Sequence, residues 1–274
     1  MLAAGDETQI IAGGQTLVPL MAMRLARPKR LIDIARLSDL AFVRHERDAI
    51  AIGATTRQCV LEHDGIICAE LPLLAKVMPF VGHAAIRARG TIGGSLANAD
   101  PAAEIPLVAV TLGASMLYRE GTVNAEIAAA DFFLGPMMTA LPAAACLTAV
   151  RFPLWGGARI GVGFHEISAR PGDFAFAAAA AQIGLDTDGV CRRAALGIGA
   201  LSAFPLRLDQ VAKAIEGTRA EENVVREMVR AALADIEPLS DLHASADYRR
   251  RAAECLAVRA ITDAYRVAKG AHAN

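Results

Sequence analysis

The chain is short of the residues that metal and disulfide chemistry use in company. Its five cysteines, Cys59, Cys68, Cys146, Cys191 and Cys255, are odd in number, scattered, and form no CxxC pair. Zinc-ribbon and iron–sulfur ligand spacings are thereby excluded, and the thiols read as reduced, small hydrophobes of a cytoplasmic protein. The six histidines are equally dispersed, with no HxxxH or HExxH pair. Any redox chemistry must then be carried by an organic cofactor. No sign of charge dominates: the net charge is −1 and the pI about 6.6. A nucleic-acid partner, which needs a concentrated basic face, is not expected. The longest apolar runs, Pro106–Tyr118 and Phe174–Leu185, fall short of the ~20 residues that span a bilayer. The opening Met1–Glu7 lacks the basic and apolar regions of a signal peptide.

What is present describes a well-filled globular chain. Its 274 residues are 54% hydrophobic and 21% charged, with positive mean hydropathy. That excludes a disordered chain and, at roughly 150 residues per domain, suggests two. Short apolar runs predict strands at 8–12, 30–34, 49–52, 114–118, 147–152, 160–167 and 190–200. Helical pattern predicts helices at 17–25, from a Thr55 cap to about Glu62, over 66–78, from Asp100-Pro101 to about Leu112, and over 245–269. The alanine run 177–181 fits a close-packed strand or a helix. The breaker cluster Pro153–Ala158 marks a boundary. We expect α+β architecture, with one domain over 1–154 and a smaller α+β domain over 159–274 ending in a helix.

Two glycine-rich segments stand out. Ala12-Gly13-Gly14-Gln15-Thr16-Leu17 is a strand–turn–helix passage whose adjacent glycines let backbone come within hydrogen-bond distance of a ligand such as a phosphate. Arg24, further along, is a candidate compensating charge. Arg89–Asn98 interleaves Gly90, Gly93 and Gly94 with Thr91 and Ser95, an expected nest of donors, and Asn98, Asp100 and Glu104 add polar groups. Neither GxxxxGK[ST] nor GxGxxG occurs, which weighs against a P-loop or Rossmann site. A tight turn would explain either segment alone. Together they describe a dinucleotide held at its phosphates. Glu104 also suits a helix N-terminus, Asp173 a turn after Pro171-Gly172, Trp155 a packing anchor, and Arg249–Arg251 a solvated helix face.

At four places in order, the sequence resembles the FAD-carrying medium subunits of the molybdenum hydroxylases. This family includes xanthine dehydrogenase, aerobic carbon monoxide dehydrogenase and bacterial aldehyde or N-heterocycle hydroxylases. The likeness lies in AGGQTLVPLM at 12–21 with RLARP at 24–28, TIGGSLANADPAAE at 91–104, FHEISARPGDFA at 164–175, and SADYRR at 245–250. It implies a two-part FAD-binding domain (PCMH-type) and an electron-transfer role within an oxidoreductase. It implies backbone contacts from Ala12–Thr16 to the FAD diphosphate, and Thr91, Gly94 and Ser95 in the second phosphate-and-ribityl segment. Glu104 becomes a polar contact to the flavin nucleotide, and Val81 a residue touching FAD. His165 or Glu166 falls near the flavin edge, where some relatives carry lysine.

The resemblance also implies partners: a small iron–sulfur subunit and a large molybdenum-cofactor subunit, assembled as a dimer of heterotrimers, with a soluble electron acceptor. Relatives usually begin with ~20 further residues, a normal βα unit, so the opening suggests a missing first strand or a misassigned start. Two other readings are a cofactor-less scaffold, which would show broken glycine segments, and a free-standing oxidase with covalent FAD. The latter needs a histidine or cysteine between Ala12 and Arg30, and there is none.

Overall fold

The computed structural model describes residues 8–156 and 159–270. The expectation about a missing first strand concerns residues outside this range. Strand β1 (Thr8–Ile11), helix α1 (Leu17–Ala22) and strand β2 (Arg30–Asp33) form a βαβ unit, with β1 and β2 paired in parallel. Helix α1 stops three residues earlier than its pattern predicts. Arg24 turns left-handed (φ 60) and the amides of Leu25 and Ala26 return to the Leu20 carbonyl, closing the helix.

Strands β3 (Val43–His45) and β4 (Ala49–Gly53) lead into six short helices: α2 (Gln58–His63), α3 (Gly65–Glu70), α4 (Pro72–Val77), α5 (Ala84–Arg87), α6 (Ile92–Asn98) and α7 (Glu104–Leu112). Three predicted features are corrected here. The single helix expected over 66–78 is two, because Pro72 has no amide to continue α3 and instead starts α4. Thr55 caps nothing: its hydroxyl donates to the Leu37 carbonyl, and α2 begins at Gln58. Asp100-Pro101 does not open α7. Asp100 accepts from the Ala102 amide in a local turn, and the helix starts at Glu104.

The chain continues through β5 (Ser115–Glu120), β6 (Val123–Ala128), α8 (Ala129–Phe132), the hairpin β7 (Phe133–Gly135) with β8 (Met138–Thr139), and β9 (Ala145–Pro153). A five-stranded sheet in the order β3-β4-β9-β5-β6 results, antiparallel throughout.

Beyond residue 158 come β10 (Arg159–Ile167), β11 (Ala177–Leu185), β12 (Cys191–Gly199), β13 (Leu206–Arg207), α9 (Asp209–Ile215), α10 (Glu222–Ala234) and α11 (Ala246–Ala268). The four strands form an antiparallel sheet in chain order. The alanine run is the middle of β11, and both of its faces are covered. Ala178 and Ala180 join the core that holds Leu74, Leu107 and Phe152, while Ala177, Ala179 and Ala181 join the core against α9, α10 and α11. Small side chains let both layers approach the strand. Gly161 and Gly163 of β10 do the same for α11, since a methyl on either would strike the helix backbone at Ala264 or Ala260.

Ser245 caps α11 by accepting from the Tyr248 amide. The expected solvated arginine face is corrected at Arg249, which is only 4% exposed. Its guanidinium donates to the carbonyls of Phe176 (2.7 Å) and Ala200 (3.0 Å) and to Asp241 (2.6 Å). Trp155 is an anchor as expected, buried with the Arg193 guanidinium 4.2 Å from its ring centroid.

Candidate functional site

The two glycine segments meet. Gly13 is buried against the second segment so closely that an added Cβ would lie 2.5 Å from the Arg89 carbonyl oxygen and 2.8 Å from the Gly90 Cα. Gly14 is left-handed, φ 70, a conformation that side chains resist. Among the described residues no backbone amide of Gly13–Thr16 donates to another group, and the Gln15 side chain folds back onto the Gly13 carbonyl. The donors expected of this turn are therefore unspent.

The second segment differs from the expected nest. Its amides are consumed by the fold: Ile92 donates to Thr56, Gly93 to Ala54, Ser95 to the Thr91 carbonyl and Gly94 to the Thr91 hydroxyl. It is the first turn of α6, capped by Thr91. What α6 offers instead is a face. Ile92, Gly93 and Leu96 are buried, while Gly94, Ser95 and Asn98 stand on the open side, with Ser95 and Asn98 making no side-chain bonds among the described residues. Seven residues carry this face ~10 Å from the glycine contact.

At the far end lie carboxyls. Glu104, first residue of α7, is 8% exposed. Burial, reinforced by the like charges of Glu166 and Asp100, pushes its carboxyl up to about 8, against the opposing pull of its own backbone amide. Glu166 is pushed up to about 7 by burial, and its Oε2 is buried without a hydrogen-bond partner. Asp100 is also raised by burial, with the Ala102 amide opposing. Alternation along β10 separates the two flavin-edge candidates. Glu166 shares the face of Phe164, whose ring meets Phe80 edge-on at 4.8 Å, next to the buried Val81. His165 points the other way, its Nε2 2.8 Å from Asp263 of α11.

Arg24 is exposed, beyond the end of α1, and does not line the cavity beside the first glycine turn. That cavity, of about 310 Å³, is bounded by Ile11–Gly14, Val18, Asp33 and Ala35, and by three guanidinium-bearing residues, Arg36, Arg57 and Arg89. Sequence reasoning missed Arg36 and Arg57 and took Arg89 only as the first residue of the second glycine segment, because no motif joins the three. The parallel β1–β2 pair and the Gly13 contact gather them. Arg57 donates to the Arg89 carbonyl, fixing the rim.

An elongated site with unspent amides and arginines at one end, a hydroxyl-and-amide face between, and proton-holding carboxyls at the other suits a dinucleotide with a polar ring. The orphaned Glu166 oxygen and the free amides are the groups a bound FAD would satisfy, so the residues present fit it. Known proteins agree. The family described as the FAD binding domain in molybdopterin dehydrogenase matches residues 1–155, and the CO dehydrogenase flavoprotein C-terminal domain matches residues 163–264. The chain is 33% identical to the 6-hydroxypseudooxynicotine dehydrogenase complex subunit alpha of Paenarthrobacter nicotinovorans, covering 95% of this chain and 88% of the relative. It is 32% identical to the carbon monoxide dehydrogenase medium chain of Afipia carboxidovorans, covering 97% and 91%. The structure superposes with a TM-score of 0.91 on a chain of carbon monoxide dehydrogenase from Hydrogenophaga pseudoflava, at 30% identity and coverage of 96% and 91%.

The chain belongs to this family of FAD-binding flavoprotein subunits. It is a flavoprotein subunit of a molybdenum-hydroxylase-type oxidoreductase with FAD as its cofactor, and the relatives it matches are subunits of multi-subunit complexes. Among the described residues no helix is long and apolar enough to cross a membrane, and no three His, Cys, Asp or Glu side chains gather as metal ligands.

Proposed function

We propose that this chain receives electrons from the iron–sulfur clusters of a small partner subunit, after a substrate is hydroxylated at the molybdenum cofactor of a large one, and delivers them to a soluble acceptor. The bound flavin supplies the ability to take up electrons singly and release them as a pair. The chain's residues supply placement. The amides of Gly13–Thr16 hold the diphosphate, and Gly94, Ser95 and Asn98 line the ribityl chain. Val81 packs beside the ring, and Glu104 keeps its proton at neutral pH and so offers an O–H donor at the polar end. Thr91 acts by capping α6. Residues 1–154 form the FAD-binding part and 159–274 the C-terminal part, in a cytoplasmic dimer of heterotrimers. The unspent amides of Gly13–Thr16, packed against the second glycine segment, carry this reading.

Native purification tests it. The expected result is a chain with one FAD, in an assembly that also contains iron and molybdenum. A lone monomer near 28.7 kDa turning over substrate with its own flavin would replace this reading with a free-standing oxidase.

A further inference from the structure

The arginine-lined cavity lies directly beside the first glycine turn. Arg36, Arg57 and Arg89 converge on about 310 Å³ of space beside Gly13 and Gly14, with Asp33 the only carboxylate in the lining among the described residues. Asp33 is itself engaged, accepting from the Ala35 amide at 2.8 Å. Arg57 spends one N–H on the Arg89 carbonyl, and the Arg36 and Arg89 guanidinium groups have no partner among the described residues. Three cations gathered without matching anions repel one another. Beside unspent amides, their forked donors match the oxygens of a phosphate ester.

We propose that Arg36, Arg57 and Arg89 form a side-chain cradle for the phosphates of the ADP half of FAD, making this chain select the dinucleotide over the flavin mononucleotide. The inference rests on the FAD reading above and adds a specificity determinant to it. Backbone amides alone meet any phosphate that approaches the glycine turn. A cluster of guanidiniums on one side of that turn rewards a ligand that extends its negative charge into the cavity, which a mononucleotide does not do.

The test uses the full-length chain freed of flavin, titrated with FAD, FMN, ADP and inorganic phosphate. Arg36 and Arg89 are exposed and their removal relieves like-charge repulsion, so the double substitution Arg36→Gln/Arg89→Gln should not lower the melting temperature. Arg57 is retained because it ties down the second segment. In the double variant FAD should bind at least tenfold more weakly while FMN binding holds, so that the ratio of the two affinities falls at least tenfold. ADP should compete with FAD in the unsubstituted chain and lose that ability in the variant. Arg36→Lys/Arg89→Lys, which keeps the charge without the fork, should restore part of the ratio. Equal weakening of FAD and FMN, an unchanged ratio, or displacement of FAD by inorganic phosphate as readily as by ADP would overturn the inference and leave the FAD reading standing. A flavin-free chain that binds neither flavin would take down both.

Discussion

The contact between the glycine segments can be broken by one methyl group. In Gly13→Ala the new Cβ would sit 2.5 Å from the Arg89 carbonyl oxygen, about 0.9 Å short of ordinary contact at 3.4 Å, and 2.8 Å from the Gly90 Cα. Both neighbours are backbone, so no side chain can rotate away. The φ of Gly13 is not in the left-handed region, so alanine brings no torsional penalty, and the whole effect is separation of the segments. Overpacking of this kind costs roughly 1–3 kcal/mol. A shift of about 0.9 Å would stretch an amide-to-phosphate bond of about 2.9 Å past the limit at which it counts as one. Losing a single bond to a charged acceptor, worth roughly 1.5–3 kcal/mol, weakens FAD at least tenfold, since each ~1.4 kcal/mol is a factor of ten. Fluorescence titration of the flavin-free chain measures the affinity, and calorimetry should show a melting point lower by about 2–6 °C. Gly163→Ala is the control: its methyl meets the Ala260 carbonyl of α11, far from the glycine turn. It should destabilise the fold while the folded fraction binds FAD normally. Unchanged FAD affinity in Gly13→Ala would refute the idea that the abutting segments form the diphosphate seat.

Other expectations follow from buried polar groups. Arg249→Met removes the guanidinium that, among the described residues, alone reaches the Phe176 and Ala200 carbonyls from α11, and should cost about 2–4 kcal/mol in urea unfolding, only partly recovered by Arg249→Lys. Glu104 makes stability depend on pH in a stated direction. Its ordinary carboxyl value of 4.5 rises to about 8 in the folded chain, so between those values the folded state holds a proton that the unfolded state lacks. Flavin-free stability should therefore fall as pH rises from about 5 to 8, by on the order of a few kcal/mol, and Glu104→Gln should flatten the curve. Glu166, at about 7, adds to the lower part of the same window. The lowered Asp186 and Asp241 act only in more acid solution, and the raised Cys146 and Cys191 thiols only in more alkaline. Stability that climbs between pH 5 and 8 would contradict the assignment.

Where periodicity and punctuation agreed, the sequence was legible. The breakers at 153–158 separate β9 from β10, Ser245 opens α11, and the first glycine pair sits where β1 turns into α1. Three of the errors share one cause: a polar side chain with two uses. Thr55 and Asp100 look like helix caps, and each hydroxyl or carboxylate is instead spent on a nearby loop, a choice that depends on where residue 37 or the end of α6 comes to lie. Arg249 reads as surface because arginine usually is, and becomes structural because three acceptors from distant segments converge on it.

The same distinction explains which part of the candidate site the sequence conceals. Glycines advertise themselves, since nothing else tolerates the backbone approach seen at Gly13 or the torsion of Gly14. Arginines do not, because Arg36, Arg57 and Arg89 lie on three separate segments and carry no shared spacing. The choice between His165 and Glu166 is likewise invisible in a string of letters, as both are polar and adjacent. Strand alternation decides it: with Phe164 seated against Phe80, Glu166 must face Glu104 and His165 must face α11. A one-residue slip of β10 would exchange them and bring an imidazole in place of a carboxyl to the polar end of the site. The register of β10 against the nine paired positions of β11 therefore fixes the charge presented there, and a slip of β10 would bring side chains in place of Gly161 and Gly163 under the backbone of α11, which has no room for them.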